Sequence, residues 1–210
     1  MNPASPIVFV VDDDFRVREA IASLIASLGI QVQAFGSASE FLEAEKPDAP
    51  ACLVLDLELP GLNGLELQQA LSAGYAPPII FVTGHGDVPS SVRAMKAGAI
   101  EFLSKPFDPQ DLLRAVEAGI ERDRAARDRR LELLELEKRY GSLTPREQEV
   151  LPYVVAGYAN KQSAGALGVA EITIGVHRGH IMRKMAARSL AELIRMAEKL
   201  SIAPVPEPLK

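Results

Sequence analysis

The sequence predicts two folds in one chain: a doubly wound α/β domain on a five-stranded parallel sheet, joined by a long linker helix to an all-α domain of four helices. Three features lead there. Over residues 1–120 short apolar runs alternate with helical periodicity, as in a parallel sheet with right-handed crossovers. The run Ala51-Cys52-Leu53-Val54-Leu55 is apolar throughout and bounded by Pro50 and Pro60-Gly61, which suits a strand buried on both faces. From Leu143 to Ser201 no strand pattern occurs, only helical spacing with short breaks.

Taken in order, Ile7 to Val11 is the first strand and runs into Asp12-Asp13-Asp14. Val17, Ile21, Leu24, Ile25 and Leu28 mark a helix that Gly29 stops. Asp14 suits the N-cap of that helix better than a ligand pocket. Gln31 to Phe35 is a shorter strand, and Ser37-Ala38-Ser39-Glu40 has the form of a capping box ahead of Phe41 and Leu42. The third strand ends on Asp56, and Leu65, Leu67 and Leu71 mark a helix over Gly64 to Ala73. Pro77-Pro78 introduces the strand Ile79 to Thr83. His85 follows as a loop residue, with no second His or Cys placed to form a metal site with it. Val88 to Ala97 is a helix ended by Gly98, and Ile100 to Leu103 is the fifth strand, leading into Ser104-Lys105-Pro106.

Pro109 to about Lys138 reads as one long helix. Leu112, Leu113, Val116 and Ile120 give its first part an apolar face, while Glu121 to Arg130 is nearly all charge and alanine, as suits a solvated connector. Leu131, Leu133, Leu134 and Leu136 offer a surface to a partner, but the heptad is not sustained and a coiled coil is disfavoured. In Leu143 to Leu151, Thr144 is an N-cap, Pro145 takes the first helical position and Glu147 stands three residues after the cap. Gly157 stops that helix, Asn160 to Ala164 is a short one, Gly168 is a turn, and a longer helix runs from about Glu171 to Met185. A last helix covers Leu190 to Leu200. A short helix, a tight glycine turn and a longer helix make a helix-turn-helix, whose second member enters the DNA major groove.

A length of 210 residues is comfortable for two domains, expected at 1–120 and 141–210 with a helical linker at 121–140. The composition, 48% apolar and 24% charged, is that of an ordinary soluble protein. No apolar run approaches the ~20 residues of a membrane span, and the first residues lack the pattern of a secretory signal. Cys52, the single cysteine, excludes an intrachain disulfide and reads as a buried filler in a reducing cytosol, so a cytoplasmic location is expected. The net charge of −5 is unevenly divided. Residues 1–120 carry 7 Lys/Arg against 16 Asp/Glu, and residues 141–210 carry 9 against 6. An acidic front and a mildly basic rear suit a metal or phosphate-chemistry domain joined to a polyanion binder.

Alone, Asp56 reads equally as a strand-ending residue that caps a turn. Its company decides otherwise, because Asp12, Asp13, Thr83 and Lys105 stand at the carboxyl ends of the other strands, where open α/β sheets bind ligands. Three converging carboxylates repel one another unless a cation neutralises them, and an all-oxygen site suits Mg²⁺ (or Mn²⁺). One carboxylate can then act as a nucleophile toward a phosphoryl group, with a hydroxyl and an ammonium as donors to its oxygens.

Val10-Val11-Asp12-Asp13-Asp14, Leu55-Asp56, Val82-Thr83-Gly84 and Lys105-Pro106-Phe107 together resemble the receiver domain of two-component response regulators, a flavodoxin-like fold, over residues 6 to about 120. The resemblance implies strand order 2-1-3-4-5 and phosphoryl transfer from a sensor histidine kinase to Asp56. It implies Mg²⁺ held by Asp13, Asp56 and the backbone carbonyl of Glu58, with Asp12 helping through water, and phosphoryl contacts from Thr83 and Lys105. Phe102 matches the receiver position whose ring turns inward once Thr83 moves, and suits a plain core residue nearly as well.

Thr144-Pro145-Arg146-Glu147, Gly157, Asn160-Lys161, Ala164, Leu167-Gly168, Thr173, Val176-His177-Arg178, Ile181 and Arg183-Lys184 resemble the LuxR-type DNA-binding domain. The whole chain is similar to the FixJ-type subfamily of the NarL/LuxR regulators. By this likeness Lys161, Arg178 and Lys184 contact phosphates, Val176 faces base methyls, and Asn160, Thr173 and His177 belong to the same interface. His177 is read equally as a packing residue. The chain departs from the pattern at Gly175 and Gly179, where a polar side chain is usual, at Ser163, where an apolar one is, and at Pro152 inside a helix.

The expected function is a transcriptional regulator, not an enzyme, that dimerises on phosphorylation of Asp56 and then binds promoter DNA. Two rivals remain open. In one, the effector domain makes protein contacts instead of binding DNA. In the other, the chain is an Asp-nucleophile phosphatase of the haloacid dehalogenase type, a class that wants a second Asp two residues after the nucleophile, where this chain has Glu58.

Overall fold

The computed structural model describes residues 5–72, 76–84 and 88–206. His85 and Ala73, the expected end of the third helix, lie outside the described residues. Residues 1–127 and 128–210 form two units. Among the described residues no helix is long and apolar enough to cross a membrane.

In the first unit β1 (Ile7–Val11), β2 (Gln31–Phe35), β3 (Ala51–Asp56), β4 (Ile79–Thr83) and β5 (Glu101–Ser104) form one parallel sheet in the order β2-β1-β3-β4-β5. β1, β3 and β4 are buried along their whole length, while the edge strands β2 and β5 are partly exposed. Only the inner three therefore read as unbroken apolar runs.

Period-two alternation sorts the inner-strand side chains between two cores. Phe9, Val11, Leu53, Leu55 and Phe81 meet Phe41, Leu67 and Ala94 of α2 (Ala38–Glu43), α3 (Gly64–Leu71) and α4 (Val88–Lys96). Val8, Val10, Cys52, Val54, Ile80 and Val82 meet Ile21 and Ile25 of α1 (Phe15–Ala26) and Leu112, Val116 and Ile120 of α5 (Pro109–Gly141). Each fully buried large apolar side chain contributes about 1.5–3 kcal/mol. The rings of Phe9, Phe35 and Phe41 lie 5.5–6.4 Å apart, worth about 0.5–1.5 kcal/mol more per pair. Where α5 crosses β3, a Cβ at Gly119 would stand 2.6 Å from Cys52 Sγ, so only glycine lets that helix lie so close.

Helix starts follow the caps. Asp14 accepts from the N–H groups of Arg16 (2.8 Å) and Val17 (3.3 Å), the cap role expected of it. Ser37 accepts from Glu40 N–H, but the Glu40 carboxylate accepts from Gly36 N–H (2.9 Å) and not from the cap residue, so the box closes one residue early. Elements differ from expectation by one to three residues at their ends, as frayed termini do. Asp123 and Arg127 turn inward on α5, which corrects the reading of Glu121 to Arg130 as wholly solvated.

The second unit contains α6 (Pro145–Val155), α7 (Asn160–Leu167), α8 (Glu171–Lys184) and α9 (Leu190–Lys199). Leu143, Val150, Leu151, Val154, Ile174, Ile181 and Leu193 form its core, and Tyr140 from the end of α5 packs against it. Thr144 and Glu147 cap α6 reciprocally. Pro152 costs α6 one i→i−4 bond, yet its carbonyl still accepts from Ala156 N–H (3.1 Å) and the helix continues to Val155. Ser163 is buried because its hydroxyl donates to the Ala159 carbonyl (3.3 Å), the i−4 partner within its own helix. Gly168 ends α7 in the left-handed region (φ +65°) and sets the tight turn into α8.

Candidate functional site

Parallel register brings the expected residues of the first unit to one sheet edge. Val11 pairs with Leu55, so Asp12 stands level with Asp56. Asp56 pairs with Val82, so Thr83 lies one residue beyond it on the neighbouring strand. Thr83 in turn pairs with Ser104, and its carbonyl accepts from Lys105 N–H at 2.7 Å. The side chains of Asp12, Asp56 and Thr83 are buried, and Asp13 is exposed at the rim.

Lys105 Nζ donates to Asp12 Oδ2 and to Asp56 Oδ2, each at 2.7 Å. The remaining oxygens are also fixed. Asp12 Oδ1 accepts from Asp14 N–H (2.9 Å), and Asp56 Oδ1 accepts from Glu58 N–H (3.1 Å). Burial pushes the Asp12 carboxyl above its usual range, and one lysine shared between two carboxylates offsets this only in part. Burial works the other way on Lys105, but its bonds to both carboxylates outweigh it and the ammonium is held above its ordinary pKa.

Carboxylate oxygens of Asp12, Asp13 and Asp56 lie within 4.8 Å of one another. That donor set is hard, anionic and all-oxygen, and it fits a small divalent cation. Phe102 is half-buried, its ring 6.2 Å from that of Phe81, as befits a core residue and equally one near the surface.

Two supporting residues escaped sequence reasoning. Arg18 donates to the carbonyl of Asp12 (2.5 Å) and braces the acidic loop, with no sign in the sequence to set it apart from other surface arginines. Gly64 opens α3, and a Cβ there would stand 2.4 Å from the carbonyl oxygen of Asp56. A glycine at the first position of a helix is the only hint the sequence offers.

In the second unit α7, the Gly168 turn and α8 form the expected helix pair. Lys161 is exposed at the start of α7, and Val176 is 52% exposed on α8. Asn160, Thr173 and His177 are half-buried. The His177 Nδ1 is buried without a hydrogen-bond partner, which favours packing for that edge of the ring. Two cations expected at phosphates are engaged within the domain. Arg178 donates to the Tyr158 carbonyl (3.0 Å). Lys184 donates to Glu147 Oε2 (2.7 Å) and to the Ser142 carbonyl (3.2 Å). A Cβ at Gly175 would make ordinary contact with Asn160, and one at Gly179 would meet open space.

The sequence matches the family model of the response regulator receiver domain over residues 8–117, and that of the bacterial regulatory proteins of the luxR family over residues 141–197. Nodulation protein W of Bradyrhizobium diazoefficiens is 53% identical over 94% of this chain and 87% of its own. The transcriptional regulatory protein FixJ of Azorhizobium caulinodans is 44% identical over 96% of each chain. The low-resolution structure of the response regulator StyR superposes with a TM-score of 0.83 at 51% identity, covering 93% of this chain and all of that one. The chain belongs to the transcriptional response regulators, phosphorylation-controlled proteins that join a receiver domain to a luxR-family DNA-binding domain.

Proposed function

We propose that Asp56 accepts a phosphoryl group from the phosphohistidine of a sensor kinase, and that the phosphorylated chain dimerises in the cytoplasm and binds promoter DNA. Residues 1–120 act as receiver, 121–140 as linker and 141–210 as DNA-binding domain. The observation that carries the reading is the double bridge from Lys105 to Asp12 and Asp56, beside three carboxylates within 4.8 Å.

Asp12, Asp13 and Asp56 would hold Mg²⁺ (or Mn²⁺) together with the Glu58 carbonyl. The bound cation supplies neutralisation of the charge that gathers on the phosphoryl oxygens. An Asp56 carboxylate oxygen attacks phosphorus, the P–N bond of the phosphohistidine breaks, and its electron pair leaves with the imidazole. Lys105 already donates to Asp56 and is placed to follow the charge onto the new phosphoryl group. The Thr83 hydroxyl, one residue beyond Asp56 on the next strand, donates to a second oxygen. Its movement leaves room for the Phe102 ring to turn inward, which alters the surface around β5.

Acetyl phosphate supplied with Mg²⁺ should label the protein and leave Asp56→Asn unlabelled. Undiminished labelling of the variant would contradict the assignment.

A further inference from the structure

On α8 the buried residues Ile174, Ile181 and Met185 define the inward face of the helix and its end. The opposite line, Ile172, Val176, Gly179 and Arg183, runs at i, i+4, i+7 and i+11, and all four residues are exposed. Ile172 is 79% exposed, so it adds nothing to the core of the domain. Gly175 and Gly179 have no side chain to hold an approaching surface away from Ile172 and Val176. With Arg178 and Lys184 each bonded within the domain, this line presents the aliphatic Ile172 and Val176 where it would meet a base edge, flanked by the exposed charges of Glu171 and Arg183.

We propose that Ile172, together with Val176, is a specificity-determining residue that packs on the C5-methyl groups of two thymines in the major groove. The proposal rests on the reading that α8 enters DNA. An aliphatic side chain neither donates nor accepts hydrogen bonds, and the thymine methyl is the apolar group that the major groove displays. Lys161 and Arg183, both exposed, supply attraction to the backbone that surrounds those methyls. A protein partner fits the patch poorly, since two aliphatic side chains fall far short of the ~800 Å² per side of a standard protein interface.

The test uses the full chain with beryllofluoride and Mg²⁺. Duplexes are selected from a random pool, and each thymine of the enriched site is then replaced by deoxyuridine, which lacks only the methyl. For the wild type, two such replacements should each weaken binding about fourfold, the worth of one methyl removed from water. In Ile172→Ala one of the two positions should become indifferent to the replacement, and in Val176→Ala the other. An Ile172→Ala protein that selects the same site and keeps the full response to every deoxyuridine overturns the proposal. So does a variant whose sedimentation changes while its DNA selection does not, which would assign the patch to a protein partner. If the wild type enriches no duplex at all, the DNA-binding reading itself fails and the proposal falls with it.

Discussion

The backbone N–H of Ala51 donates to Asp123 Oδ2 at 2.8 Å, across 72 residues of sequence. Ala51 opens β3, the strand whose other end carries Asp56. Asp123 is 2% exposed, accepts as well from Arg127 Nε (2.9 Å), and Arg127 pairs in turn with Asp48. One carboxylate on α5 thereby anchors the entry of the strand that carries the candidate phosphoacceptor. Asp123→Ala leaves a buried N–H without its acceptor, which costs about 1–3 kcal/mol. Urea denaturation followed by far-UV circular dichroism should show the α/β unit unfolding at lower denaturant. Asp123→Asn keeps an oxygen for Ala51 and should lose less. Equal losses in the two variants would mean that the charge, not the hydrogen bond, is what matters.

Glu147 should govern the acid stability of the second unit. Burial works to raise its pKa. The Lys184 ammonium and the Thr144 N–H outweigh that and bring it from 4.5 to about 2. A depressed carboxylate stabilises the fold fully above its unfolded pKa, and that contribution is lost as pH falls through the folded value. Stability of this unit should therefore decline between pH 4.5 and about 2. The chain has no Trp, and three of its four tyrosines (Tyr140, Tyr153 and Tyr158) lie here, so tyrosine fluorescence reports this unit selectively. Glu147→Gln can still accept from Thr144 but leaves Lys184 uncompensated. It should lower stability at neutral pH and flatten the decline in acid. An unchanged acid profile would show that Glu147 does not govern it.

Gly64→Ala should disturb the phosphoacceptor directly. The added methyl has a backbone carbonyl 2.4 Å away, that of Asp56 itself, and a backbone atom cannot swing aside as a side chain does. Phosphorylation by acetyl phosphate should slow at least tenfold while the second unit keeps its stability. A wild-type rate would mean that the loop after β3 moves without cost.

Cys52 should be silent in the folded protein. It is fully buried between β3 and α5, and burial pushes its thiol up to about 12. A thiol reagent at pH 8 should modify it only at the rate at which the sheet opens, and completely in denaturant. Fast modification of the native chain would contradict the packing of α5 on β3.

Much of this was legible in the sequence for a physical reason. Strands buried on both faces must be apolar throughout, so Ile7–Val11, Ala51–Leu55 and Ile79–Val82 declare themselves, and the polar residue that ends each run is then conspicuous. Asp12, Asp56 and Thr83 were found that way, and Lys105 by its place after the fifth, partly exposed strand. What composition hides is the partner of each charge. Asp123 sits in a charged stretch that looks solvated and Glu147 reads as a capping residue, yet each is buried against a partner far away in sequence, Ala51 and Lys184. Nor does the sequence show that Arg178 donates to the Tyr158 carbonyl and Lys184 to Glu147, because a cation's sequence neighbours do not reveal a carboxylate or carbonyl folded against it. Close approach is hidden too, since nothing near Gly64 or Gly119 announces the backbone or the sulfur that a methyl would strike.

The most direct test of the account joins its two halves in one titration. The full chain, wild type and Asp56→Asn, is titrated against duplexes selected by the wild type, with Mg²⁺ present throughout and with or without beryllofluoride. Phosphorylation control through Asp56 predicts that beryllofluoride tightens wild-type binding at least tenfold and leaves Asp56→Asn where the untreated wild type lies. Equal affinity of the wild type in both states, or an equal gain in Asp56→Asn, would contradict it.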